Sequence, residues 1–272
     1  GIEMEAGKPS WCDALNGLPG MFGSSMSETF ELARLIEFLL SNMHLMEKLE
    51  LPEEVAVLLE TVTKHLEKYY DSQESNKGIS YWDQVSTARE TYREKTHFGF
   101  SGTVVQVPQI DLYASFELFL KKINEGIAQA NSIYDGMPPT YFSYEIEEYE
   151  VLRDSDGRVL KDNQQRPYVR ACKFHQNPLP LFLEAPVHMM RTLKNMAEKR
   201  QLHDLVKSSE LYDQSLKMYR TNVSLAGQPL HIGRLRVFTP GWLENESIFL
   251  HMAYKYMLEL LKAGLYDEFF DE

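Results

Sequence analysis

The stretch Ser25-Met26-Ser27-Glu28-Thr29-Phe30-Glu31-Leu32-Ala33-Arg34-Leu35-Ile36-Glu37-Phe38-Leu39-Leu40 decides the fold class. Ser25 with Glu28 three residues later fits a capping box, in which a hydroxyl and a carboxylate each satisfy an N–H left open at a helix start. Phe30, Leu32, Leu35, Ile36, Phe38, Leu39 and Leu40 are apolar on more than one side, so the spacing predicts a well-buried helix to about residue 48.

The same period recurs further along the chain. Pro52 stands where a helix takes its first residue, Glu53 and Glu54 suit the positive end of the dipole, and Val55, Leu58, Leu59, Val62 and Leu66 follow at helical spacing. Further helices are expected over 81–95, 110–134, 183–200, 203–218 and 247–263, with Gly264 placed to end the last. Residues 1–24, 99–108 and 228–245 read as irregular or extended. The character changes in between: 141–146, 149–152 and 168–171 read as strands, and Asp154-Ser155-Asp156-Gly157 is turn chemistry. No short repeat or low-complexity tract is found. The expectation is a mainly α chain of seven or eight helices, joined in hairpins as a bundle or an α/α toroid, with a β-rich insertion around 138–180. Residues 1–272 are read as a single segment.

At 43% hydrophobic and 25% charged residues, with fifteen Tyr and fourteen Phe, the chain is rich enough in apolar surface to exclude disorder. A formal net charge of −12 argues against tracking a nucleic-acid backbone, which needs clustered cations. No run of apolar residues is long enough to span a membrane. Two cysteines, Cys12 and Cys172, make no disulfide framework, and a cytoplasmic location is expected. The N-terminal residues carry no signal-peptide pattern, and the chain reads as a piece of a longer protein. The eight histidines show no His-x-x-x-His spacing, so no metal and no cofactor is expected.

Two segments carry chemistry. In Trp11-Cys12-Asp13-Ala14-Leu15-Asn16, a Trp precedes an Asp by two residues in a Gly/Pro-rich loop. An indole offers a flat apolar face to a pyranose, and a neighbouring carboxyl kept protonated by desolvation can donate to a glycosidic oxygen. In Pro240-Gly241-Trp242-Leu243-Glu244-Asn245-Glu246-Ser247-Ile248-Phe249-Leu250-His251, a loop carries Glu244 and Asn245 into a helix. The seven residues to His251 would place it about two turns on, on the same face.

Together these segments resemble the inverting disaccharide phosphorylases, the cellobiose and chitobiose phosphorylase family (glycoside hydrolase family 94). The first is similar to that family's Trp-Asn-Asp-Cys-Leu-Asn loop and the second to its Pro-Gly-x-Lys-Glu-Asn-Gly-x-Ile-Phe-x-His stretch. Cys12 departs from the family's Asn, and Leu243 from its Lys. The resemblance covers about 7–24 and 230–265. It implies the later part of an incomplete six-hairpin α/α toroid. It also implies Asp13 as general acid, with Trp11, Asn16, Glu244 and Asn245 against the sugar and His251 and Arg234 against phosphate. Arg236 is an alternative to Arg234.

The activity implied is phosphorolysis of a β-linked oligosaccharide, with inorganic phosphate as co-substrate and inversion to a sugar 1-phosphate. The partners are then an oligosaccharide and phosphate, and a homodimer is admitted. Two other readings stay open: an inverting hydrolase, which needs a second carboxylate to activate water, and a non-catalytic carbohydrate-binding or scaffold fragment.

Overall fold

A computed structural model describes residues 22–45 and 47–270. The chain is mainly α: among the described residues there are eight α-helices and three small antiparallel sheets. No helix among them is long and apolar enough to cross a membrane. Contacts divide the chain into two compact units, one holding the described residues of Gly1–Leu32 together with Glu125–Glu272, the other Ala33–Asn124. Helices α1 (Met26–Asn42) and α4 (Gln109–Asn131) each contribute residues to both.

The Ser25 cap forms, its Oγ accepting from the Glu28 N–H at 3.5 Å. The residues just before it are not irregular. β1 (Phe22–Ser25) pairs antiparallel with the start of β4 (Tyr141–Val151), and β5 (Val169–Pro178) pairs antiparallel with β4 from Phe142 to Val151. A register shift between Ile146 and Glu148 leaves one extra residue in β4. The two long strands lie within the stretch read as β-rich. Four further helices follow: α5 (Glu184–Thr192), α6 (Met196–Ser208), α7 (Leu250–Ala263) and α8 (Tyr266–Phe270).

The helix expected over 203–218 ends at Ser208, and a small hairpin of β6 (Tyr212–Asp213) and β7 (Met218–Tyr219) replaces its second half. Asp213 Oδ1 accepts from the Ser215 and Leu216 N–H groups at 3.0 Å, a local turn that competes with the helix ladder. Asn195 likewise starts α6 by accepting from the Glu198 N–H at 2.8 Å. Gly264 ends α7 at φ 81°, its N–H reaching the Leu260 and Leu261 carbonyls. These elements close over a core that includes Phe30, Leu183, Val187, Met190, Leu202, Val206, Met252, Tyr256 and Leu260. A smaller cluster, Tyr141, Leu179, Phe182, Leu225, Ile232 and Leu235, lies beneath the irregular 220–249 region.

The other unit is built on a helical hairpin of α2 (Glu53–Asp71) and α3 (Lys77–Thr96). Residues 104–108, expected in a loop, form β3 (Val104–Pro108), which pairs antiparallel with β2 (Lys48–Pro52). Few side chains here are fully buried, Leu66 and Leu112 among them. Lysine ammonium groups of α4 instead stand over tyrosine rings of α2, with Lys121 Nζ 3.8 Å from the Tyr70 ring centre and Lys122 Nζ 3.9 Å from that of Tyr69.

The hairpin end between β4 and β5 contains a repeat that the sequence reading missed. Asp154 Oδ1 accepts from the N–H groups of Asp156 and Arg158, and eight residues on Asp162 Oδ1 accepts from those of Gln164 and Arg166. Gly157 at φ 79° is matched by Gln165 at φ 66°. The two turns are bound in a ring of backbone bonds: Leu152 N–H to Tyr168, Tyr168 N–H to Leu160, and Leu160 N–H to Leu152. The repeat is hidden because only Asp and Arg recur as identical residues, while Gln165 takes the left-handed position that normally favours glycine.

Candidate functional site

The irregular segment after β7 is held by buried amides. Asn222, fully buried, donates from Nδ2 to Asn245 Oδ1 at 3.2 Å and accepts at Oδ1 from the Glu246 N–H at 3.1 Å. Asn245 Nδ2 donates to the Phe238 carbonyl at 2.8 Å, and its own carbonyl accepts from the Gly241 N–H. Thr221 Oγ1 donates to the Glu244 carbonyl at 2.7 Å. Ser247 Oγ bonds the Leu243 carbonyl.

These bonds fix an unfavourable backbone. Gly241, Leu243 and Glu246 all have positive φ, at 85°, 51° and 51°. For Leu and Glu that conformation costs on the order of 1–2 kcal/mol each and persists only where the surroundings hold it. The strained pair brackets Glu244, which is half-buried. Trp242, two residues away, is 58% exposed and meets the Phe238 ring edge-on at 5.6 Å. Leu243, Ile248 and Leu250 are exposed nearby in sequence.

The expected site residues fare differently. Glu244 and Asn245 occupy one tight turn. Asn245 is buried, with its amide oxygen and nitrogen each bonded within the turn, so it holds the turn. His251 is exposed in the first turn of α7. The helical spacing assumed between Glu244 and His251 is wrong: α7 starts at Leu250, after Phe249 as N-cap, and Glu244 lies outside it. The left-handed Glu246 breaks the helical path between them. Arg234 is exposed at the start of a short 3-10 turn, Arg234–Val237. Arg236 donates to the Gln228 and Ala226 carbonyls at 2.9 and 2.6 Å, so it clamps the loop. Asp13, Trp11 and Asn16 lie outside the described residues. Trp242 is an exposed aromatic two residues before Glu244 in the same turn.

A second polar cluster, not foreseen from the sequence, joins α1, α5 and α7. Arg191 donates from Nη1 to Glu31 at 2.8 Å and from Nη2 to Glu259 at 3.0 Å. His188 Nδ1 donates to the same Glu31 oxygen at 2.7 Å, and Lys262 Nζ lies 3.1 Å from Glu259. Burial pushes the His188 imidazole below its usual range, outweighing the opposite pull of Glu31. Arg191 is committed to two carboxylates, which makes this cluster a brace among three helices.

No known protein-family model and no curated protein matches the chain.

Proposed function

We propose that the chain is part of a carbohydrate-active enzyme, an inverting phosphorylase of β-linked oligosaccharides built on an α/α toroid, acting in the cytoplasm. The observation that carries this reading is the turn at 241–246, where backbone strain and buried amides fix Glu244 two residues from the exposed Trp242. A carboxylate and an exposed indole carried on one tight turn suit sugar binding, and strain sustained by a buried network concentrates at sites with a task. The ordered pair of motifs, Trp11-to-Asn16 and Pro240-to-His251, supports the same reading from the sequence.

In the proposed reaction, protonated Asp13 gives its proton to the glycosidic oxygen as the bond to the anomeric carbon breaks. Phosphate attacks that carbon from the opposite face, which yields the inverted sugar 1-phosphate and a free sugar. The nucleophile is already anionic, so no second carboxylate is needed to activate it, whereas an inverting hydrolase requires one about 6.5–9.5 Å from the acid. Glu244 and Trp242 hold the leaving sugar, and His251 with Arg234 meets phosphate.

The test is incubation of the chain with β-linked disaccharides, with and without phosphate, followed by phosphorus NMR. Sugar 1-phosphate formed only with phosphate, and lost in Asp13→Asn, supports the proposal. Free sugar released at the same rate without phosphate assigns the site to hydrolysis. Turnover unchanged in Asp13→Asn removes the acid from its role.

A further inference from the structure

The seam of the α2–α3 hairpin is closed near its turn and open towards its far end. Near the turn the Tyr69 and Tyr81 rings meet at 5.5 Å. Towards the start of α2 the seam holds small side chains, Thr61, Ala88 and Thr91, which do not fill it. A cavity of about 540 Å³ is left there, within the size range of small-molecule sites. All of its lining belongs to one compact unit.

Helical spacing sorts the lining. Glu54, Val57, Leu58 and Thr61 form one stripe of α2. Ala88, Thr91, Tyr92 and Lys95 form a stripe of α3 at the same spacing. In a helical hairpin the first turn of α2 lies against the last turn of α3, so Glu53, Glu54 and Lys95 gather at one end, with Ser101 beside them. Glu54 Oε1 accepts from the Ser101 N–H at 2.8 Å, and that bond holds the carboxyl below the usual carboxylate range, with a weaker pull from Lys95. Glu54 Oε2 is shielded from water and has no hydrogen-bond partner among the described residues. Among those residues Lys95 forms no direct ion pair with either glutamate. The other end, roughly 10 Å along the helix axis, is apolar. Leu58 and Ala88 supply its walls, and the Thr61 and Thr91 hydroxyls are spent on the Val57 and Thr87 carbonyls at 2.7 and 2.9 Å.

We propose that this cavity binds a free α-amino acid with a large apolar side chain. The ammonium group meets Glu54 Oε2 and Glu53, the carboxylate meets Lys95, and the side chain lies along Leu58 and Ala88 between the helices. One end offers both signs of charge where the ligand carries both, and the other offers apolar surface where the ligand is apolar. An amine alone leaves Lys95 unmatched, and a carboxylate alone leaves Glu54 Oε2 without its donor. The inference is independent of the sugar chemistry and stands if that reading fails.

The experiment is calorimetric titration of the full chain with L-phenylalanine, phenethylamine and 3-phenylpropionate, with amide chemical shifts to locate binding and thermal unfolding to show that each variant is folded. L-Phenylalanine binds with a Kd of about 1 mM or tighter and shifts the amides of 53–61 and 88–95. Phenethylamine, which lacks the carboxylate, and 3-phenylpropionate, which lacks the amine, each bind about tenfold more weakly or not at all. Lys95→Met removes the preference for L-phenylalanine over phenethylamine. Glu54→Gln, which can still accept from Ser101, weakens L-phenylalanine by about tenfold or more. Ala88→Leu fills the apolar end and abolishes binding, and the ligand series on the wild type decides the matter even if that variant does not fold. The proposal is overturned by no binding up to ~10 mM L-phenylalanine, an affinity too weak for a specific site. It is equally overturned by phenethylamine binding as tightly as L-phenylalanine, by binding unchanged in Glu54→Gln, or by shifts confined to other residues.

Discussion

Asn222 and Asn245 join side-chain amides at 3.2 Å across twenty-three residues of chain, and through that bond the turn bearing Glu244 is held to the core. Both are buried, so the bond is made away from competing water.

Replacing Asn222 by Ala leaves the Glu246 N–H and the Asn245 side-chain Oδ1 without this partner in a buried setting. We expect a loss of roughly 2–4 kcal/mol in urea unfolding. In a double-mutant cycle with Asn245→Ala the two losses should fall short of additivity by about 1 kcal/mol or more. Strict additivity would show that the amides act separately.

Arg191 bridges Glu31 and Glu259, and the Glu259 side chain is only 4% exposed. Arg191→Met strands that carboxylate with Lys262 as its remaining cation in this cluster and should cost about 3–5 kcal/mol. Adding Glu259→Gln to Arg191→Met should recover part of the loss, since the stranded charge is gone. Chemical denaturation of the three variants checks this, and a double variant no more stable than Arg191→Met would refute it.

The His188 imidazole has a folded-state pKa depressed by burial, below the unfolded value of about 6.5. Below that pH the unfolded chain binds the proton more readily than the folded one. His188 therefore contributes stability at pH 7 that is lost as pH falls from about 6.5 toward the folded pKa. The depressed carboxylates Asp162 and Asp213 also lose stability on acidification, but through their own lower folded pKa values. We expect His188→Gln to show a shallower fall in unfolding temperature between pH 7 and about 5.5 than the wild type. Parallel curves would exclude the histidine as the source.

Gly264 and Gly157 both have φ near 80°, but a Cβ at Gly264 would stand 3.3 Å from Met196 Cε, while one at Gly157 would meet open space. Gly264→Ala should cost about 1–2 kcal/mol from backbone strain, plus whatever Met196 must yield. Gly157→Ala carries the strain alone. Thermal unfolding of both should rank Gly264→Ala as the more damaging, and the reverse order would mean that Met196 moves aside freely.

Local rules were enough for several features. The Ser25 cap and the glycine that ends α7 depend on neighbours within four residues, so the sequence alone announced them. The strand character of 141–151 was legible because β-branched and aromatic residues alternate there with carboxylates. Other features needed distant partners. Val104–Pro108 became a strand because Lys48–Pro52 lies alongside, and no local pattern signals that pairing. The brace of Glu31, Arg191 and Glu259 draws on three helices, and each residue alone looks like an ordinary surface charge.

The site divides in the same way. Sequence order alone paired Asp13 with Glu244 and His251 as candidate chemistry, because motif spacing is a property of the chain. Only the tertiary structure decided that Asn245 is a strut, that Arg236 is a clamp, and that Glu244 and His251 do not share a helix. A side chain's role depends on which polar atoms are left unsatisfied after folding, and that accounting closes only when the whole core is in place.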